Sequence, residues 1–137
     1  MPFSIRLEPE TGILIATCAG SLDLSDAEQG VRAVWENPEW SGKPILWDFR
    51  EARLDFTTPD VRQLAQWVLE GQPSTPPARV AFVTARDVDF GLVRMFEVFR
   101  EHPATEVRVF RDYGDAVFWV RGVGPTSPKR PTGPRST

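Results

Sequence analysis

Four stretches follow one another between residues 79 and 120: Arg79-Val-Ala-Phe-Val-Thr84, Asp89-Phe-Gly-Leu-Val-Arg-Met-Phe-Glu-Val-Phe-Arg-Glu101, Glu106-Val-Arg-Val-Phe110 and Asp112-Tyr-Gly-Asp-Ala-Val-Phe-Trp-Val120. The first and third are short, apolar and rich in β-branched residues. The second is longer, and its polar residues recur every three or four positions, the helical period. The fourth opens on Asp and repeats the helical pattern over a shorter length. Strand, helix, strand, helix in this order predicts a βαβ unit, with parallel strands and a right-handed crossover.

Upstream, Phe3–Glu8 alternates apolar and polar residues, the period of a half-buried strand. Pro9-Glu-Thr-Gly12 supplies turn chemistry before the apolar run Ile13–Ala19, so these two strands should form an antiparallel hairpin. Ser25-Asp26-Ala27-Glu28 has the spacing of a capping box, followed by a helical face of Ala27, Val31, Val34 and Trp35. Ile45-Leu46-Trp47 reads as a short buried strand ending at Asp48. Thr57-Thr58-Pro59-Asp60 opens another helix, with Val61, Leu64, Ala65 and Val68 on its buried face and Gly71 at its end. The expected fold is α/β: a five-stranded mixed sheet with an antiparallel N-terminal hairpin, later strands parallel, and about four helices. One domain is expected over residues 1–120. Residues 121–137, dominated by Pro, Gly, Ser, Thr and Arg, bury too little apolar surface to offset ordering entropy and are expected to be disordered.

The formal net charge of −3 conceals an asymmetry. Arg121, Lys129, Arg130 and Arg135 sit in the tail without an acid, leaving residues 1–120 with 12 basic against 19 acidic side chains, a net −7. An acidic body argues against nucleic acid as a partner, because phosphate binding needs clustered Lys and Arg. The single cysteine, Cys18, excludes a disulfide framework. The N-terminus lacks the basic and apolar regions of a signal peptide. No apolar run approaches the ~20 residues that span a bilayer. A cytoplasmic protein without stable membrane insertion is the expectation.

The stretch 89–101 is more apolar than a surface helix requires. Gly91, Arg94, Glu97 and Arg100 or Glu101 form a narrow polar stripe. Leu92, Met95, Phe96 and Phe99 make one apolar face, flanked by Phe90, Val93 and Val98. A surface helix needs an apolar arc of only about 100°. The surplus has three explanations: neighbouring helices, a partner such as a second copy of the chain, or an apolar ligand lodged beside the preceding helix. Trp67, Phe90, Gly91, Val93, Arg94 and Met95 are therefore the candidate ligand or partner surface. Gly91 is read as a point of close approach by a backbone or ligand, and Met95 as an adaptable filler. On the dimer reading, Val93→Asp should disrupt self-association and leave the fold intact.

Val80-Ala-Phe-Val83, Phe90-Gly-Leu-Val-Arg-Met-Phe-Glu97, Glu106-Val-Arg-Val-Phe-Arg-Asp112 and Ala116-Val-Phe-Trp119 together resemble the SpoIIAA-like branch of the STAS fold. The match in element order runs over residues 3–120, while its specific residues lie almost entirely in 79–120. In anti-sigma-factor antagonists of this fold a Ser in an Asp-Ser-Ser-Gly motif is phosphorylated at the start of a helix. The resemblance puts Thr58 at that position as a candidate phospho-acceptor, with Phe56 in place of the acid and Pro59 in place of Gly. A Thr-Pro at a helix start also reads as an ordinary cap. The branch is similar in shape to the CRAL-TRIO lipid carriers, which hold apolar ligands under a helical lid.

Catalytic signals are sparse. His102 has no second His or Cys to complete a metal site and falls at a helix end, where its charge would complement the dipole. No phosphate loop, Cys-x-x-Cys or Gly-x-Ser-x-Gly motif occurs. Asp87 and Asp89 read as caps of the following helix. Trp40, in a Pro/Gly loop, is expected to be the most exposed of the five tryptophans. The resulting expectation is a non-enzymatic protein-interaction or regulatory domain, with no cofactor, no metal and no catalytic residue. The alternative is a carrier or sensor of an apolar, lipid-like ligand held beside the 89–101 helix.

Overall fold

Right-handed crossovers between neighbouring parallel strands return the chain to the same face of a sheet each time. In the computed structural model, which describes residues 3–122, five strands stand side by side in chain order: β1 (Phe3–Glu8), β2 (Ile13–Leu22), β3 (Ile45–Leu54), β4 (Arg79–Thr84) and β5 (Glu106–Phe110). β1 is antiparallel to β2, and β2 through β5 are parallel. The crossovers are α1 (Leu24–Trp35), α2 (Thr58–Gly71) and α3 (Asp87–Phe99), and α4 (Tyr113–Arg121) follows β5. This is the mixed five-stranded α/β architecture expected from the sequence.

The parallel strands are apolar on both sides because both sides are covered. Leu14, Ala16, Cys18, Ile45, Trp47, Val80 and Phe82 face α1 and α3, meeting Val31, Val34, Val93 and Phe96. Ile13, Ile15, Leu46, Ala81 and Val83 face the other way, onto Ala116 and Val120 of α4. Arg79 fastens α4 to the sheet: its Nη1 donates to the Trp119 carbonyl at 2.6 Å, and its guanidinium lies 5.0 Å from the Trp119 ring centroid. Gly122 closes that helix with a left-handed cap at φ 65°. The expected disorder of the tail beyond it lies outside the described residues.

Several local expectations are corrected. The cap of α1 is Asp23, not Ser25: the Asp23 carboxylate accepts from the Asp26 N–H at 2.9 Å, and Asp26 accepts from the Asp23 N–H at 3.1 Å. β3 does not end at Asp48 but runs on to Leu54, pairing with β2 after β4 has stopped. Asp87 and Asp89 do not cap α3; its cap residue is Arg86, which makes no side-chain cap bond. Asp87 instead pairs with Arg111, and fully buried Asp89 accepts from the Leu54 N–H at 3.2 Å. Trp40 is half-buried and packs on the core. Gly91 is exposed, and a Cβ there would meet nothing within 4 Å, so no close approach explains it.

Val93 is the most consequential correction. It is 4% exposed and sits inside the helix-side core, with Val88 and Val98 at 55% and 66% on the outside of the same helix. An Asp at 93 would bury an unpaired carboxylate. Val93→Asp is therefore expected to cost ~3 kcal/mol or more, the scale of an uncompensated buried charge. Urea denaturation followed by circular dichroism measures this, and an unchanged midpoint would contradict the burial.

Candidate functional site

Three helices laid over one sheet face leave a gap where the side chains between them are small. Here that gap is a cavity of about 140 Å³. Cys18, Trp47 and Phe82 of the sheet form its floor; Ala27, Gly30 and Val31 of α1, Val61 and Leu64 of α2, and Leu92, Val93 and Phe96 of α3 form its walls. Gly30 sits close over the floor: a Cβ there would come within 3.3 Å of the Trp47 ring, which would have to shift slightly to admit it. At Gly71 a Cβ would fall 2.8 Å from the Trp35 ring, so the end of α2 rests directly on α1. Trp35 and Trp67 stack at 5.1 Å and close this helix pair from outside.

The polar part of the lining includes Gln72 and Arg100. Arg100 follows the last turn of α3, where its charge complements the helix dipole. Its side chain is only 4% exposed. Its Nη1 has no hydrogen-bond partner, and Nη2 reaches the Gln72 Oε1 only at 3.5 Å. Among the described residues no carboxylate forms an ion pair with it. Burial pushes its pKa down from the ordinary arginine value. Asp26 and Lys43 also line the cavity, the Asp26 carboxylate being committed to the cap of α1.

Gln72 is itself contested. The His102 Nδ1 accepts from the Ala104 N–H at 3.1 Å, so a neutral imidazole carries its proton on Nε2. That Nε2 lies 3.3 Å from the Gln72 amide nitrogen. One carboxamide stands between two donors, His102 and Arg100, and whichever way it turns one of them faces an NH₂ group. The cluster is short of acceptors.

Asp48 and Glu97 have partners, and the Cys18 thiol is held neutral by burial. Burial raises the Asp48 pKa, but the hydrogen bonds from Arg50 and its charge outweigh this, and the net shift is downward. The two contacts from Arg50 measure 2.9 and 2.8 Å, and Arg50 lies 4.3 Å over the Tyr113 ring, tying β3 to α4. Glu97 is pushed up by burial, partly offset by Arg94, by the Val109 N–H that it accepts at 3.0 Å and by Arg108. The Cys18 thiol is pushed up to about 12, first by burial and then by Asp48, which keeps it protonated and a poor nucleophile. Among the described residues no group of three or more His, Cys, Asp or Glu could hold a metal ion, and no helix is long and apolar enough to cross a membrane.

Of the six residues proposed as a ligand or partner surface, Val93 alone lines the cavity. Trp67 is half-buried outside it, with Arg32 at 5.4 Å from its ring. Phe90 lies under the Arg111 guanidinium at 4.3 Å, and Met95 is half-buried. Gly91 and Arg94 are exposed, Arg94 pairing with Glu97 at 3.7 Å. Thr58 is the exposed first residue of α2, and the cap is its neighbour Thr57, in a reciprocal pair with Asp60. Sequence reasoning missed Arg100 and Gln72. A signal for Arg100 was present: residues 89, 93, 96 and 100 share one helical stripe, and Val93 and Phe96 mark it as the inward one.

No family model matches the chain, and no curated protein matches it. Among solved structures it is similar to the crystal structure of an uncharacterized protein of the DUF3478 family, with a SpoIIAA-like fold, from Shewanella loihica PV-4. The TM-score is 0.54 at 19% identity, over 86% of this chain and 91% of that one. The fold is SpoIIAA-like.

A protonated, enclosed thiol should react only when the domain opens. Cys18 is expected to resist a thiol-reactive disulfide reagent at pH 8 in the native state and to react rapidly in denaturant. Fast labelling of the native protein would show that the floor of the cavity is open to solvent.

Proposed function

We propose that this domain is a non-enzymatic binding module for a small apolar ligand, a carrier or sensor, with the cavity beneath α1, α2 and α3 as its site. The observation that carries the reading is an apolar cavity of about 140 Å³ between the sheet and the three helices on its thicker side. Cores normally close to native density. A void of about 150 Å³ lined by Leu, Ile and Phe can take up a benzene-sized guest. The site proposed from the sequence, between the 89–101 helix and the preceding one around Trp67, Phe90 and Met95, moves on this reading to the face of α3 that carries Leu92, Val93 and Phe96.

Ligand binding to the native state alone raises stability by mass action. Millimolar 1-octanol is expected to raise the thermal midpoint of the wild type. Val31→Phe, which pushes a ring into the cavity from α1, should remove most of that gain while the variant stays folded. Equal gains in both proteins would place the alcohol elsewhere.

A second reading, an interaction or regulatory domain that self-associates through α3, is favoured by the exposure of Val88 and Val98. Thr58, free of the capping role and exposed at a helix N-terminus, would be its natural point of phosphate control. This reading expects a dimer in sedimentation equilibrium that Val98→Glu converts to monomer. A monomeric wild type at 100-fold the working concentration would remove it.

A further inference from the structure

We infer that the ligand is an amphipathic monocarboxylate, its chain in the apolar cavity and its carboxylate on Arg100. This rests on the reading of the cavity as a ligand site and adds the chemistry of the head group.

Arg100 is a charged side chain, more than nine-tenths buried, with a guanidinium edge, Nη1, that no hydrogen-bond partner among the described residues satisfies. Leaving such a donor unpaired is costly, and the cost is recovered by any acceptor that reaches it. Gln72 does so poorly, at 3.5 Å, and in that orientation turns its amide nitrogen toward the His102 Nε2. Gln72 is also the first residue after α2, in the extended conformation at ψ 145°, at the start of a loop with prolines at 73, 76 and 77. Its amide can turn aside without disturbing a helix, opening the Nη edge of Arg100 toward the cavity that both residues line. A carboxylate then meets that edge through two parallel hydrogen bonds and leaves Gln72 to His102.

Charge selects the carboxylate over a phosphate. One guanidinium neutralises one carboxylate, whereas a phosphate monoester near pH 7 carries about −1.5 to −2 and would leave charge uncompensated in an apolar site. The cavity sets the tail at about six to eight carbons, on the scale of the guest that a void of about 150 Å³ accepts. Lys43 is the other cation on the lining, but it is only half-buried and so does not bear the burial cost that Arg100 does.

Isothermal titration with octanoate, 1-octanol and octyl phosphate at pH 7 tests the assignment on the full chain. Octanoate is expected to bind about ten-fold or more tighter than 1-octanol, the scale of one charge-assisted contact. Arg100→Met should abolish that difference and leave 1-octanol within about three-fold, while Lys43→Met leaves octanoate within about three-fold. Equal binding of acid and alcohol to the wild type, or loss with Lys43→Met instead, overturns the carboxylate assignment and leaves the apolar site standing. Tighter binding of octyl phosphate also overturns it. Binding of none of the three removes the apolar site and the assignment together. The comparison of acid with alcohol on the wild type decides the matter even if Arg100→Met fails to fold.

Discussion

The handedness of the crossover is the constraint on which this structure depends. Because each strand from β2 to β5 is laid down beside the last, right-handed connections place α1, α2 and α3 on one face. The opposite face receives α4 alone. A single sheet thus has a thick side with three helices and a thin side with one, and the two cores differ accordingly. The thin side is closed by Ala116 and Val120 packed directly onto the strands. The thick side must fill the junction of three helices and a sheet, and with Gly30 and Ala27 at that junction it does not fill it completely.

Much of this architecture was legible in the sequence, and the parts that were not share a physical cause. β-branched runs, turn chemistry and the Pro and Asp of the Thr57-Thr58-Pro59-Asp60 helix start are local signals, and they located the elements, although the box read at Ser25–Glu28 lies at Asp23 and Asp26 instead. β3 was read as three residues because its second half, Arg50 to Leu54, is largely polar. It is polar since it pairs only with β2 there, forming a two-stranded ribbon past the end of β4. Local pattern cannot reveal how many neighbours a strand has. Trp40 misled for the converse reason: a loop composition promised exposure, but the loop folds down over the rim of the helix-side core.

The candidate site was legible only as an excess. The 89–101 stretch announced that it carried more apolar surface than one sheet face needs, and it does. Its direction was misread because Arg100 was grouped with Arg94 and Glu97 as solvent-facing. Helical geometry groups it instead with Asp89 and Val93, both buried. Charged residues at the two ends of a buried stripe are tolerated at a helix because each sits at the pole that suits its sign. Asp89 accepts from the Leu54 N–H with Oδ1 and lies 3.8 Å from Arg86, although its Oδ2 takes no hydrogen bond, whereas Arg100 has only the 3.5 Å contact to Gln72. What separates the two is visible only in three dimensions: Asp89 has an ion-pair partner in Arg86, and among the described residues Arg100 has none.

An open sheet has two borders, and β5 is one of them. In the middle of that border the Val109 N–H is taken up by Glu97, a carboxylate delivered from α3. A foreign strand seeking to extend the sheet would find this donor already engaged and a side chain standing in its path. That one carboxylate thereby guards the β5 border against fibre-like growth of the sheet.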